Sequence, residues 1–212
     1  METNIGVVKK SQYRTSQWSG GITTELMIYP GDSSYSDRSF KWRISSAEVE
    51  ASESVFTSLP GITRNIMVTN GQLILEHENK YKKVLDPFQQ DSFMGDWKTV
   101  SHGMATDFNL MLAVGFTGRL EAYFLEEGEK IDITLYKGKV KQVTNIFYAL
   151  NGSLELAVNK QEFNIEEKDL FHITRLPDEE NGMLKLTNTS KHRLAVIRAE
   201  ILEQAGDSNP PQ

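Results

Sequence analysis

The chain has 212 residues, no cysteine, and 23 basic against 29 acidic residues, a net charge of −6. Those values allow one large or two small domains with a sizeable core. They remove disulfides, thiolate nucleophiles and cysteine-ligated zinc, and an acidic chain without a dense Lys/Arg cluster argues against a nucleic-acid partner.

Taken in order, residues 5–13 read as an opening strand. After Gly20-Gly21 a second strand runs to Pro30, with Ile22, Leu26 and Ile28 on one face and Thr23, Glu25 and Met27 on the other. Residues 31–39 are small and polar and read as a surface loop. From Phe40 the pattern alternates: Phe40, Trp42 and Ile44 point one way, Lys41, Arg43 and Ser45 the other. A short strand at 54–59 stops at Pro60-Gly61. Strands follow at 81–85 and 90–94, and a strong one at 107–114, where Phe108, Leu110 and Leu112 oppose Asp107, Asn109 and Met111. Further strands are expected at 120–125, 131–136, 163–165, 170–174, 183–187 and 193–201, and a polar tail at 204–212 is expected to be disordered. There is no long helical periodicity. No apolar run nears the roughly 20 residues a bilayer span needs, and the N-terminus lacks an apolar signal core, so a cytoplasmic protein with no membrane partner is expected.

One pattern occurs twice. Residues 64–75 read as a hairpin turning at Asn70-Gly71, a pair suited to a type I′ turn. Residues 146–156 repeat it around Asn151-Gly152, an offset of 151 − 70 = 81 residues. Gly71, Leu73 and Leu75 match Gly152, Leu154 and Leu156. An acidic residue then precedes a Phe in each copy, Asp91 and Phe93 in the first, Asp169 and Phe171 in the second. A period near 80 is too long for a solenoid repeat and suits two small β domains in tandem, each a sandwich or barrel, divided near 115–118.

Three motifs carry a family resemblance. Trp18-Ser19-Gly20-Gly21-Ile22-Thr23-Thr24-Glu25 is the first. Phe40-Lys41-Trp42-Arg43-Ile44-Ser45-Ser46-Ala47, with Phe56 and Leu59-Pro60-Gly61-Ile62-Thr63-Arg64 after it, is the second. Gly95-Asp96-Trp97 followed by Asp107-Phe108-Asn109-Leu110-Met111 is the third. Over residues 7–115 the chain resembles the HutD/Ves family; the second half matches loosely, as another β domain. Many members carry an Asn between the Trp and the glycines, where Ser19 leads straight into Gly20 here. The resemblance implies a bicupin of two tandem cupin-like β-barrels with little helix. The barrels would span residues 1–115 and 116–203, and the chain would often pair as a homodimer. It also implies a link to histidine utilisation, with a small anionic metabolite such as formylglutamate or urocanate as partner and no reaction firmly attached.

The residues themselves admit two readings. Arg64 shares parity with Ile62, Ile66 and Val68, and a guanidinium on an apolar face is costly unless an anion meets it. It is either a clamp for a ligand carboxylate or a strand-end arginine reaching solvent or Glu25. Glu25, Arg43, Asp107 and Asn109 lie opposite the apolar residues of their strands, so they either face solvent or line a wet interior. In the second case Trp18, Thr23, Glu25, Arg43, Arg64, Asp107, Asn109 and Met111 are the expected ligand-binding set, with Arg43, Arg64 and Glu25 converging. The usual cupin metal signature is missing: His77 stands alone between Glu76 and Glu78, and His102, His172 and His192 are isolated. No metal and no cofactor is therefore expected. No nucleophile elbow or phosphate-cradling loop is present, and no catalytic residue can be assigned. The expected function is non-enzymatic binding. The alternatives are a metal-independent cupin enzyme, an isomerase or hydrolase using Glu25 as acid/base, and a β protein with no ligand. The second half lacks the charged motifs of the first and is expected to be structural or dimer-forming.

Overall fold

The computed structural model describes residues 3–177 and 183–205; most of the expected tail lies outside them. The chain divides into two units, residues 13–114 and residues 1–12 together with 115–212. β1 (Asn4–Val8) and one 3-10 turn (Lys10–Gln12) come first. The first unit then holds β2 (Arg14–Trp18), β3 (Gly21–Tyr29), β4 (Trp42–Val49), β5 (Glu53–Val55), β6 (Ile62–Gly71), β7 (Leu73–His77), β8 (Lys82–Leu85), β9 (Gln90–Met94), β10 (Thr99–His102) and β11 (Ala105–Ala113). The second unit continues with β12 (Phe116–Leu125), β13 (Lys130–Thr134), β14 (Gln142–Ala149), β15 (Leu154–Val158), β16 (Gln161–Ile165), β17 (Leu170–Arg175), β18 (Met183–Asn188) and β19 (Leu194–Glu203). The all-β expectation holds.

Each unit is a pair of antiparallel sheets. The first has a six-stranded sheet, β2-β3-β4-β11-β6-β9, and a four-stranded one, β5-β10-β7-β8. The second has β1-β17-β14-β19-β12 and β13-β18-β15-β16. Among the described residues no ladder joins the two sheets of a unit, so the expected barrels are not closed strand circles. The apolar residues lie between the sheets. Ile66, Val68 and Phe93 of the larger sheet pack on Leu73, Leu75 and Leu85 of the smaller one in the first unit. Phe147, Phe171 and Val196 pack on Leu154, Leu156 and Leu186 in the second. Side-chain alternation with period two makes this possible, since one face of each strand is apolar.

Three expectations need correction. The opening strand does not belong to the first unit: β1 pairs with β17, from Asn4 opposite Thr174 to Val8 opposite Leu170, so the first twelve residues fold with the second. Asn70-Gly71 is not a hairpin turn. β6 pairs with β11 and β9, β7 with β10 and β8, and the chain crosses between sheets at Gly71. Gly71 has φ of 78°, and a Cβ there would stand 2.5 Å from the Met104 carbonyl oxygen, so the corner needs glycine. Asn151-Gly152 likewise joins β14 to β15 across sheets, so the repeat is genuine and its unit is a sheet crossing. Finally, Met27 does not share a face with Thr23 and Glu25. The β3–β4 register shifts between Glu25 and Met27, and this bulge at Leu26 turns Met27 to the side of Ile44 and Ile28 to the side of Arg43.

Candidate functional site

The inner face of the six-stranded sheet carries polar rows at one end. Register sets them: Arg43, Met111 and Arg64 lie side by side across β4, β11 and β6; Ser45, Asn109 and Ile66 form the next row; Ala47, Asp107 and Val68 the third. Over these rows, between the sheet and residues 54–57, lies a cavity of about 240 Å³. Trp18, Thr23, Arg43, Arg64, Asp107, Asn109 and Met111 all line it, which brings together seven of the eight residues expected from sequence. The eighth, Glu25, stands behind Arg43: its Oε2 lies 2.7 Å from Arg43 Nε, while Arg43 Nη1 donates to Ser45 Oγ at 3.0 Å.

Arg64 is different. It is 7% exposed, and its Nε has no hydrogen-bond partner. No carboxylate among the described residues forms an ion pair with it. Its guanidinium carbon sits 4.5 Å from the centre of the Phe56 ring and 5.7 Å from that of Phe93. Burial pushes this guanidinium below its ordinary range, with Tyr35 and Asp107 pulling the other way. The Asp107 carboxyl is pushed up to about 7 by burial, which outweighs the attraction of Arg64 and a hydrogen bond from the Ala47 backbone. Asp107 Oδ1 and Asn109 Oδ1 are also buried without partners. One orphaned donor and two orphaned acceptors therefore line one cavity. Buried polar atoms are nearly always paired, so a polar guest or ordered water belongs there.

The family motifs serve this geometry. A Cβ at Gly20 would stand 2.0 Å from the Trp18 ring, and one at Gly21 the same distance from the Glu48 carbonyl oxygen. The glycine pair thus lets the indole fold back and lets β3 start hard against β4. Trp18 Nε1 then donates to Thr23 Oγ1 at 3.1 Å, fixing the ring at the cavity rim. Gly95 N donates to the Ile62 carbonyl at 2.7 Å, and Leu59 N to the Gly95 carbonyl at the same distance, which ties the second motif to the third just before Arg64.

Sequence reasoning missed several lining residues. Tyr35 comes from the segment read as a surface loop, yet Arg43 stacks 4.5 Å over its ring. Ser45, Ala47 and Val49 share the parity of Arg43, and alternation alone would have found them. Phe56 stood in a motif and was given no role.

The donor set does not suit a metal. Among the described residues no group of three His, Asp or Glu side chains is placed to hold a metal ion. His77 is buried and committed on both nitrogens, Nδ1 at 2.8 Å from Thr99 Oγ1 and Nε2 at 3.0 Å from Asp91 Oδ2. Asp91 also accepts from Tyr81 at 3.2 Å and Lys83 at 3.0 Å. A cation in the pocket would have to sit against Arg64 and Arg43.

Comparison with known proteins decides the family. The HutD family model matches residues 10–194. The chain belongs to the HutD family. PA5104, a conserved protein of unknown function from Pseudomonas aeruginosa PAO1, is similar over 93% of this chain and 98% of its own, at 22% identity and a TM-score of 0.76. HutD from Pseudomonas fluorescens SBW25 is similar over 92% and 98%, at 21% identity and 0.63. Oxalate decarboxylase from Bacillus subtilis matches 96% of this chain and 78% of its own, at 8% identity and 0.63. At these identities the structural likenesses speak for the fold, a cupin-like one. Among the described residues no helix is long and apolar enough to cross a membrane.

Proposed function

We propose that this HutD-family chain binds a small carboxylate-bearing metabolite in the first unit and serves histidine utilisation by sensing it. Family membership supports the pathway; the pocket supports the chemistry. The observation that carries the reading is Arg64, a buried guanidinium facing a cavity with an unpartnered Nε and no carboxylate in contact. A ligand carboxylate supplies the missing acceptor in bidentate form. Asp107 and Asn109 then receive an N–H or O–H from the other end of the ligand, and Phe56, Val49 and Met111 cover its apolar part. The test is a thermal-shift panel of carboxylate metabolites, formylglutamate and urocanate among them. A ligand at about 100 times its Kd adds about 2.7 kcal/mol to stability. Binding to the wild type and none to Arg64→Met is expected; a panel that leaves the wild-type Tm unmoved defeats the reading.

One observation favours a second reading, a metal-independent isomerase or hydrolase. Asp107, at about 7, is poised to give or take a proton at neutral pH. Glu25, the acid/base expected from sequence, is held by Arg43. Turnover of a bound metabolite followed by NMR, lost in Asp107→Asn, would move the protein into this class.

A further inference from the structure

Among the described residues the pocket contains two arginines, of which one, Arg64, is left without a carboxylate partner. Arg43 is neutralised by Glu25 at 2.7 Å, its Nη1 is bonded to Ser45, and its face is stacked on Tyr35. Both partners of the ion pair are largely withdrawn from solvent, 6% and 18% exposed at their side chains. Arg64 has no such partner. The remaining charged group in the lining is Asp107, whose neutral form suits the site up to about pH 7. The sum over the lining is then +1: Arg43 and Glu25 cancel, Arg64 counts one, protonated Asp107 counts nothing. A buried charge without a counter-charge is costly, so one negative charge on the guest completes the site and a second has nowhere to go.

We infer that Glu25, which does not line the cavity, is the residue that sets the charge of the ligand: by occupying Arg43 it restricts the pocket to a guest with one carboxylate and excludes dicarboxylates. The guest's other polar end is an uncharged N–H or O–H donor, matched to the unpartnered oxygens of Asp107 and Asn109. This rests on the carboxylate-binding reading above and narrows it to the class with one carboxylate and one neutral donor. Glu25 acts through Arg43, so it is a specificity-determining residue and not a contact.

A pair of probes that differ by one charge at nearly constant shape tests this. N-formyl-L-glutamine has one carboxylate and N-formyl-L-glutamate two, all ionised at pH 6. Calorimetry at pH 6 should show the wild type binding the glutamine probe more tightly, by about tenfold or more, as a difference of one pK-unit equivalent in electrostatic free energy requires. Glu25→Gln frees Arg43 and should erase or invert that ratio. The double variant Glu25→Gln with Arg43→Met removes the freed cation and should restore the preference for one carboxylate. A loss of fold would weaken both probes together, whereas the ratio moves only with charge. A wild type that prefers the glutamate probe, or a Glu25→Gln ratio equal to the wild-type ratio, overturns the assignment of Glu25 while leaving the carboxylate site standing. Binding of neither probe nor any other carboxylate by the wild type overturns both. Should Glu25→Gln not fold, a wild type that prefers the glutamate probe still overturns the proposal.

Discussion

In the second unit Arg198 is surrounded. Its Nε and Nη2 donate to Asn145 Oδ1 at 2.9 and 2.7 Å, Nη2 to Glu200 at 2.6 Å, and Nη1 to Glu121 at 2.9 Å. In the first unit Arg64 is nearly as buried and has none of this. The two arginines stand in corresponding clusters but not at corresponding positions: Asn145 takes the place of Arg64, and Arg198 that of Asn109. Asn145 stands 81 residues after Arg64, and the rows that put Ile66 opposite Asn109 and Arg64 opposite Met111 put Phe147 opposite Arg198 and Asn145 opposite Glu200. The second half was expected to be structural or dimer-forming because it lacks the charged motifs of the first; it nonetheless holds a charge cluster, in which every nitrogen of Arg198 is bonded and Asn145 Nδ2 is left without a partner, beside a core filled with hydrocarbon. The difference separates a structural use of buried polarity from a receptive one. A buried cation that its own neighbours neutralise asks for no charged guest, while an unpaired guanidinium facing a cavity does.

If that contrast is right, truncating the two arginines should have opposite consequences. Arg198→Met leaves the buried Glu200 with only the exposed Arg119 as a charged partner and should cost about 3–5 kcal/mol, read as a large drop in urea midpoint. Next in size is Asp107→Asn. The folded-state pKa of Asp107 is raised to about 7 from 3.8, so its contribution to stability is intact below the unfolded value and is lost as pH climbs through about 7. The asparagine variant should be the more stable protein at pH 8, by roughly 2–4 kcal/mol, with the gap closing towards pH 4; equal urea midpoints at pH 8 would deny that Asp107 is strained by burial. Trp18→Phe removes the hydrogen bond to Thr23 and should cost about 0.5–1 kcal/mol while loosening the rim, visible as weaker ligand binding. Smallest is Arg64→Met. With no native partner to lose, its stability should stay within about 1 kcal/mol of the wild type. A collapse comparable to that of Arg198→Met would place Arg64 among structural residues.

Much of this was legible in the chain itself. Period-two alternation put Arg43 and Ser45 opposite Trp42 and Ile44, and Asp107, Asn109 and Met111 opposite Phe108, Leu110 and Leu112. The strands keep that parity because successive side chains must point to opposite faces. It also put Arg64 on the inner face, and the duplicated Asn-Gly segments revealed two related units. Where parity broke, reading failed: the bulge at Leu26 inserts a residue that no local pattern announces, so Met27 and Ile28 exchange faces. The loop at 31–39 looked like solvent-exposed chain because its composition is polar, and Tyr35 reaches the cavity through its packing on Arg43 and Phe40.

Pairing between distant segments was beyond the sequence. Asn70-Gly71 suits a hairpin locally, yet β6 and β7 part into different sheets because each finds its ladder partners elsewhere. β1 crosses to the second unit because its partner, β17, lies more than 160 residues away. The same holds for the site: sequence alone determined which residues of a strand share a face and that the charged motifs belong to the first half, and left open whether the polar faces met solvent or a wet interior. Tertiary structure decided that Glu25 meets Arg43 and not Arg64, since reach and register, set by strands far apart in the chain, choose which charge is neutralised and which is left waiting.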